Sequence, residues 1–446
     1  MKTFKVNALL FMVILCSIFM ISNSCSRQEK RLYLDSALEA ADWIESSAVQ
    51  SELGTFWPAV PGESTAPDNW LYSGNSGIVL FFLEMFYATG DVQYLNSAQA
   101  GADHLLGTLS REKSPGFYSG IAGIGFALFE TYKAFEDEKY LEGFKTCLQF
   151  LRDSAEDFGQ GIEWSPTTDI ISGTAGTGLF LIYAYRETED QLLLNLAELA
   201  GKRLIELGET VENGMKWAMN PNYPRYMPNF SHGTAGIAYF LASLYMETKK
   251  EEFLQSALAG ARYLKSVAIT EGDVCLVFHH EPEGEDLFYL GWCHGPVGTA
   301  RLFYLLFHIT RDQEWMDWIE RGAKAILESG IPEQETEGFW NNVGVCCGSA
   351  GVADFFLSLY GLTQKKAYLD FARHLTKDLL SRTTKTDSGM KWIQAEHRAR
   401  PEFLQAQTGL MQGAAGIGLW LLHLDAFDQD RIPQIFFPDN PFTFVR

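Results

Sequence analysis

The sequence predicts an all-α fold, an α/α toroid of seven helical hairpins with seven inner and seven outer helices, and three observations carry that expectation. One glycine pattern recurs: "SGNSGIVLFF" (73–82), "SGIAGIGFAL" (119–128), "SGTAGTGLFL" (172–181), "HGTAGIAYFL" (232–241), "HGPVGTARLF" (294–303), "CGSAGVADFF" (347–356) and "QGAAGIGLWL" (412–421). Its first glycines, Gly74, Gly120, Gly173, Gly233, Gly295, Gly348 and Gly413, are spaced by 46, 53, 60, 62, 53 and 65 residues. A period of this size marks a repeated supersecondary unit. Each motif also opens a nearly continuous apolar run, such as "GIVLFFLEMFYATG" (77–90), and a helix apolar all round is a buried helix. Between these runs lie amphipathic segments with polar or acidic starts and apolar i, i+3, i+4 stripes, the mark of half-exposed helices.

In chain order, "KRLYLDSALEAADWIESS" (30–47) precedes the first glycine motif. "DVQYLNSAQAGADHLL" (91–106), "DEKYLEGFKTCLQFL" (137–151), "KEEFLQSALAGARYL" (250–264), "DQEWMDWIERGAKAIL" (312–327) and "KKAYLDFARHLTKDLL" (365–380) follow later ones. The unit reads as an outer helix, a loop and a glycine-led inner helix. The glycines permit a tight turn and close helix approach. Units that cannot bury their faces alone must stack, and closing seven into a ring brings the glycine-led N-termini together at one end. An open solenoid is the alternative, but the inner helices are too apolar for it.

Residues 1–24 read as a lipoprotein-type signal peptide. Lys2 and Lys5 precede "ALLFMVILCSIFMI" (8–21), a run too short to span a bilayer comfortably. "ISNSC" then offers Cys25 as the lipidated first residue, with Ser22 where such signals usually carry leucine; an ordinary secretory signal or an uncleaved anchor are the alternatives. Residues 25–446 are then one domain at the cell envelope, facing the periplasm or exterior and tied to the membrane by an N-terminal lipid. A net charge of −21 argues against nucleic acid as a partner. The seven cysteines, two of them (Cys16 and Cys25) in the signal region, are too few and too irregular for a disulfide scaffold.

The informative residues are those that break the repeat where its ends converge. The position before the first glycine is Ser73, Ser119, Ser172, His232, His294, Cys347 and Gln412. Serine there is a plausible helix cap; the later residues can bind metal or move protons. One residue earlier stand Cys293, in "GWCHG", and Cys346, in "VCCG". Three cysteines and two histidines thus fall on equivalent turns of three consecutive repeats. Sulfur-rich donors at helix N-termini suit zinc rather than magnesium or calcium. Three ligands with an open position would make a catalytic site and four a structural one. Cys147 and Cys275 read as small buried residues.

Seven G-x-x-G helices with "WCHG" and, one repeat later, "CCG" resemble the lanthionine synthetase C-like proteins, over residues from about 30 to 425. The resemblance implies an α/α toroid, Zn2+ held by Cys293, Cys346 and Cys347, and a Michael-type addition of a thiol to a dehydroamino acid of a peptide. Cys347 stands where histidine is usual in the family, and a third thiolate makes zinc a poorer Lewis acid and its bound thiolate more nucleophilic. His232, in "SHGTAG", matches the family's histidine, the natural proton donor to the enolate. Asp169, in "TTDIISG", matches an aspartate that would orient it. Helix capping is the other reading of both His232 and Asp169. His294 is expected to face substrate or support the site rather than bind metal. Tyr289 stands where bacterial cyclases usually carry an arginine, which Arg225 or Arg301 would have to replace. The partner is then a peptide substrate or a small thiol. Two other classes compete. A carbohydrate-active toroid enzyme needs two facing carboxylates, and Asp169 is the clear candidate among the turn residues; a scaffold protein would hold zinc structurally.

Overall fold

The inner helices form because the glycine motifs release long apolar runs, and the outer ones because their stripes need a buried partner. In this computed structural model, residues 31–62 and 67–442 are described; the signal peptide and Cys25 lie outside them. The helices are α1 (Leu32–Glu45), α2 (Asn75–Thr89), α3 (Val92–Thr108), α4 (Ile121–Phe135), α5 (Glu138–Asp153), α6 (Thr174–Thr188), α7 (Gln191–Leu207), α8 (Thr234–Thr248), α9 (Glu251–Val267), α10 (Pro296–Thr310), α11 (Glu314–Glu328), α12 (Ser349–Thr363), α13 (Lys366–Ser381) and α14 (Ala414–Asp428). Even-numbered helices form the inner layer; in α14 every residue from Ala414 to Ala426 is buried. Odd-numbered helices surround them, and the layer closes because α14 packs on α2, on α12 and on α1.

The hairpin runs in the opposite phase to the sequence expectation: each of the first six inner helices is followed, after a very short connection, by the outer helix it packs on. The inner helices α4, α6, α8, α10 and α12 end on left-handed Glu136, Glu189, Lys249, Arg311 and Gln364, with φ between 55° and 61°. None is glycine, so no stop signal advertised these tight turns. Asp91, Asp137 and Asp190 then cap the following helices by accepting from the backbone N–H two residues on. The first outer helix, α1, pairs with the last inner one, α14, so the chain's two ends lock the ring.

Short antiparallel hairpins, which an all-α expectation lacks, fill most of the long connections. They are β1–β2 (Val49–Ser51, Gly54–Phe56), β3–β4 (Glu156–Phe158, Gly161–Glu163), β5–β6 (Glu209–Val211, Gly214–Lys216), β7–β8 (Ala218–Asn220, Tyr223–Tyr226), β9–β10 (Ile269–Glu271, Val274–Leu276), β11–β12 (Thr383–Thr386, Gly389–Trp392) and β13–β14 (Gln394–Ala395, Leu404–Gln405). Strands this short give no readable alternation. Several brace the next outer helix around the ring, as β2 does on α3, β6 on α9 and β12 on α1.

The glycine-led turns are joined edge to edge. Backbone N–H groups of Tyr72, Tyr118, Ile170, Ser231, Cys293, Cys346 and Met411 donate to the carbonyls of Tyr118, Ile171, Ser231, Cys293, Cys346, Met411 and Tyr72, at 2.9 to 3.2 Å. The last returns to the first, so one end of the toroid is a closed circle of main-chain bonds. Each turn also feeds its own helix: the carbonyls of Asp169, Gly344 and Gly409, for example, accept from Gly176, Gly351 and Gly416, satisfying first-turn donors. This is why the motif's second glycine is needed. A Cβ at Gly176 would stand 2.0 Å from the Ile170 carbonyl oxygen, and one at Gly416 would stand 1.6 Å from that of Leu410. We therefore expect Gly416→Ala to cost about 2–3 kcal/mol, the upper part of the overpacking range, measured as a lowered midpoint in chemical denaturation without loss of helical signal.

Candidate functional site

The circle of turns brings the cysteines together. Cys293 N–H donates to the Cys346 carbonyl at 3.2 Å, so consecutive turns lie in direct contact. Gly291 permits this, since a Cβ there would sit 2.9 Å from both the Cys346 carbonyl oxygen and the Cys347 Cα. The sulfurs of Cys293, Cys346 and Cys347 all lie within 4.8 Å of one another. Cys347 Sγ is 3.1 Å from Cys293 Sγ and 3.3 Å from Cys346 Sγ, far beyond a disulfide bond of about 2.05 Å, and all three cysteines are free and buried. Hydrogen bonds from Cys293, Cys347 and Tyr72 hold the Cys346 thiol well below its ordinary range. Burial, followed by its two thiol neighbours, pushes Cys293 well above it.

This donor set fits zinc. Bonds of about 2.3 Å in tetrahedral geometry separate sulfurs by about 3.8 Å, inside the span of the observed cluster. His294 lies outside the sulfur group: its Nε2 is 3.4 Å from Met227 Sδ, and its ring stacks on His279 at 3.9 Å and 10°. Cys147 and Cys275 are buried elsewhere, as expected, and burial pushes Cys275 up to about 11.

The sulfurs line a cavity of about 320 Å3 together with His232, His294 and Tyr289. His232 Nδ1 lies 2.6 Å from Asp169 Oδ2. The other oxygen of Asp169 accepts from the Ser172 and Gly173 N–H groups at 2.8 and 2.9 Å. The carboxylate therefore holds His232 and ties the turn that precedes α6, while the helix N-terminus itself carries no side-chain cap. Burial opposes the imidazolium, but the hydrogen bond and charge of Asp169, with the charge of Cys346, outweigh it and raise His232 above its ordinary value.

Arg301 does not join this group. It donates to the carbonyl and the carboxylate of Asp439 at 2.8 and 2.9 Å and lines a separate cavity inside the ring. Arg225 is likewise absent from the cysteine cavity. The cavity's arginine is Arg398, on the loop between β13 and β14, which pairs with Glu337 at 2.7 Å and reaches the Tyr289 hydroxyl. Burial first pushes Tyr289 up to about 12, and its ring packs on Trp340 and His279. His279, Trp340 and Arg398 lie in loops outside the glycine motif, where no spacing points to them. Tyr72, which also lines the cavity, precedes a motif serine and carries no signal of its own.

The family model described as lanthionine synthetase C-like protein matches residues 65–437. The chain belongs to this family. Among curated relatives, "Glutathione S-transferase LANCL1" of Danio rerio is 21% identical over 305 residues, covering 67% of this chain and 71% of that protein. The "Lacticin 481/lactococcin biosynthesis protein LcnDR2" of Lactococcus lactis subsp. lactis is 24% identical over 287 residues, 63% of this chain but only 27% of that longer protein. Among solved structures, nisin cyclase superposes with a TM-score of 0.63 at 19% identity, covering 94% of this chain and 97% of that one. An α-1,6-mannanase of Salegentibacter sp. HEL1_6 reaches 0.50 at 14% identity, covering 89% and 99%. These likenesses establish the toroid of the family.

Because the folded His232 value is raised, its imidazolium persists above the ordinary histidine midpoint of about 6.5, and the stability it contributes fades as pH rises through the folded value. Asp169→Asn removes the charge responsible, so the His232 midpoint followed by NMR should move to lower pH; an unmoved midpoint would show that Asp169 does not control it.

Proposed function

We propose that the protein is a zinc-dependent enzyme that adds a thiol across the double bond of a dehydroamino acid in a peptide, giving a thioether. The observation that carries this reading is the meeting of three free thiols with the His232–Asp169 pair in one cavity. Cys293, Cys346 and Cys347 would hold the metal; bound zinc supplies a positive charge that lowers the pKa of a substrate thiol into the neutral range. Sulfur attacks the β-carbon, the π electrons move toward the α-carbon and its carbonyl, and the C–S bond forms as the C=C bond is lost. His232, as imidazolium, gives its Nε2 proton to the α-carbon, and the thiol's proton restores it. Asp169 keeps Nδ1 engaged and so aims the other nitrogen at the cavity. Arg398 and the Tyr289 hydroxyl are the groups available to the developing negative charge.

The similarity to nisin cyclase and to the lacticin biosynthesis protein supports a peptide partner, and that to the glutathione S-transferase supports a separate small thiol. A glycosidase reading is less well supported: the carboxylate that lines this cavity, Glu396, is engaged by Gln407 at 2.6 Å, and Asp169, buried behind His232, is committed to that histidine and the turn. We further propose that lipidation of Cys25 holds the enzyme at the envelope; palmitate labelling should be lost in Cys25→Ser.

Elemental analysis should find one zinc per chain, lost in Cys346→Ala. His232→Asn should keep the zinc while thioether formation falls by about 10²–10⁴ fold, the usual worth of a general acid. Unchanged turnover in that variant would remove His232 as the acid, and a zinc-loaded wild-type protein with no thioether formation would favour the scaffold reading.

A further inference from the structure

The position before the first glycine carries histidine or cysteine in three of the last four repeats, and in the seventh it carries Gln412, which the reaction above does not use. Gln412 is 3% exposed, and its amide orientation is dictated by backbone groups that cannot be reversed. Gly344 N–H donates to Asn342 Oδ1 at 2.9 Å, so the other arm of Asn342 is its NH2. That arm donates to the Ala395 carbonyl at 3.0 Å and to Gln412 Oε1 at 2.8 Å. Gln394 pins the same residue by donating to the Gln412 carbonyl, while its own Oε1 accepts from Val343 N–H at 2.5 Å. With Oε1 thus committed, only the Gln412 NH2 can face the cysteines. It lies 3.8 Å from Cys347 Sγ and 3.1 Å from the Tyr72 hydroxyl. An amide NH2 donates and never accepts, so the Cys347 sulfur receives the bond. The Tyr72 hydroxyl, accepting from Gln412, is left to donate to Cys346.

We propose that Gln412, with Tyr72 behind it, is a positioning and charge-tuning residue whose N–H···S bond withdraws electron density from Cys347 when that sulfur is metal-bound. This rests on the zinc reading above. Three thiolates give a divalent ion a surplus of negative charge, which weakens its pull on a fourth, incoming thiol. A donor aimed at one sulfur offsets part of that surplus without changing the ligand set, in the way outer hydrogen bonds generally tune metal ligands. The amide sits against Cys347, the sulfur that stands where an uncharged ligand would leave less charge to offset.

The test is cobalt(II) substitution of the full mature protein, reading the sulfur-to-cobalt charge-transfer band. Gln412→Leu, which removes the donor at similar volume, should shift that band to lower energy, and the pH at which a bound simple thiol ionises should rise by about half a unit, the scale of one modest hydrogen bond. Gln412→Glu should shift the band further. Should Gln412→Leu fail to fold, Tyr72→Phe removes the second donor with little change of shape and should give a smaller shift of the same sign. A wild-type protein that takes up cobalt while the band stays fixed in every folded variant overturns this inference alone. A wild-type protein that takes up neither cobalt nor zinc overturns the zinc reading and this inference together.

Discussion

The closed circle of main-chain hydrogen bonds through Tyr72, Tyr118, Ile170/Ile171, Ser231, Cys293, Cys346 and Met411 is the constraint on which the rest depends. Each bond is worth only about 1 kcal/mol net, but the circle has no free edge, so no turn can shift without disturbing its neighbours. That rigidity sets the sulfur positions. Cys293 and Cys346 are bonded members of the circle, and Cys347 follows directly. The site is therefore held by backbone rather than by packing of flexible side chains, which suits a centre whose ligands must stay within a few tenths of an ångström.

Electrostatics then divides the cavity. Three buried thiols meet on one side, where hydrogen bonds from its neighbours hold Cys346 well below its ordinary range and burial pushes Cys293 above its own. Some ångströms away a buried carboxylate keeps an imidazole inclined to carry a proton. The thiols and the histidine thus sit on different turns of one ring, each with its own support: the amide chain from Asn342 to Gln412 behind the sulfurs, and Asp169 behind the histidine. Asp169 can serve because its second oxygen is anchored by two backbone N–H groups; a carboxylate held only by the histidine would be free to rotate away.

Much of this was legible in the residues. Seven glycine motifs count the repeats, and the departures from serine before the first glycine mark the chemical side of the ring. The pairing of His232 with Asp169 was legible only through the family resemblance, since 63 residues separate them. The phase of the hairpins is hard to read because five of the six turns linking inner to outer helices use left-handed Glu, Lys, Arg or Gln, which carry no signature in sequence, and only the first uses a glycine, Gly90. The arginine was misplaced for a related reason. Arg301 follows the Cys293–His294 turn on an inner helix and so invites attention, but its side chain is taken by Asp439, whereas Arg398 arrives on a hairpin loop with no motif of its own.

By itself, then, the sequence determined the repeat number, the buried and half-exposed layers, and the residue types gathered at the converging turns. These are properties of local periodicity, and each is readable within a few tens of residues. Only the tertiary structure decided which sulfurs meet, which way the Gln412 amide points, and which cation shares the cavity. Those outcomes depend on closing the ring, which sets α1 against α14 and joins Met411 to Tyr72, and no local pattern encodes a contact between the two ends of a chain.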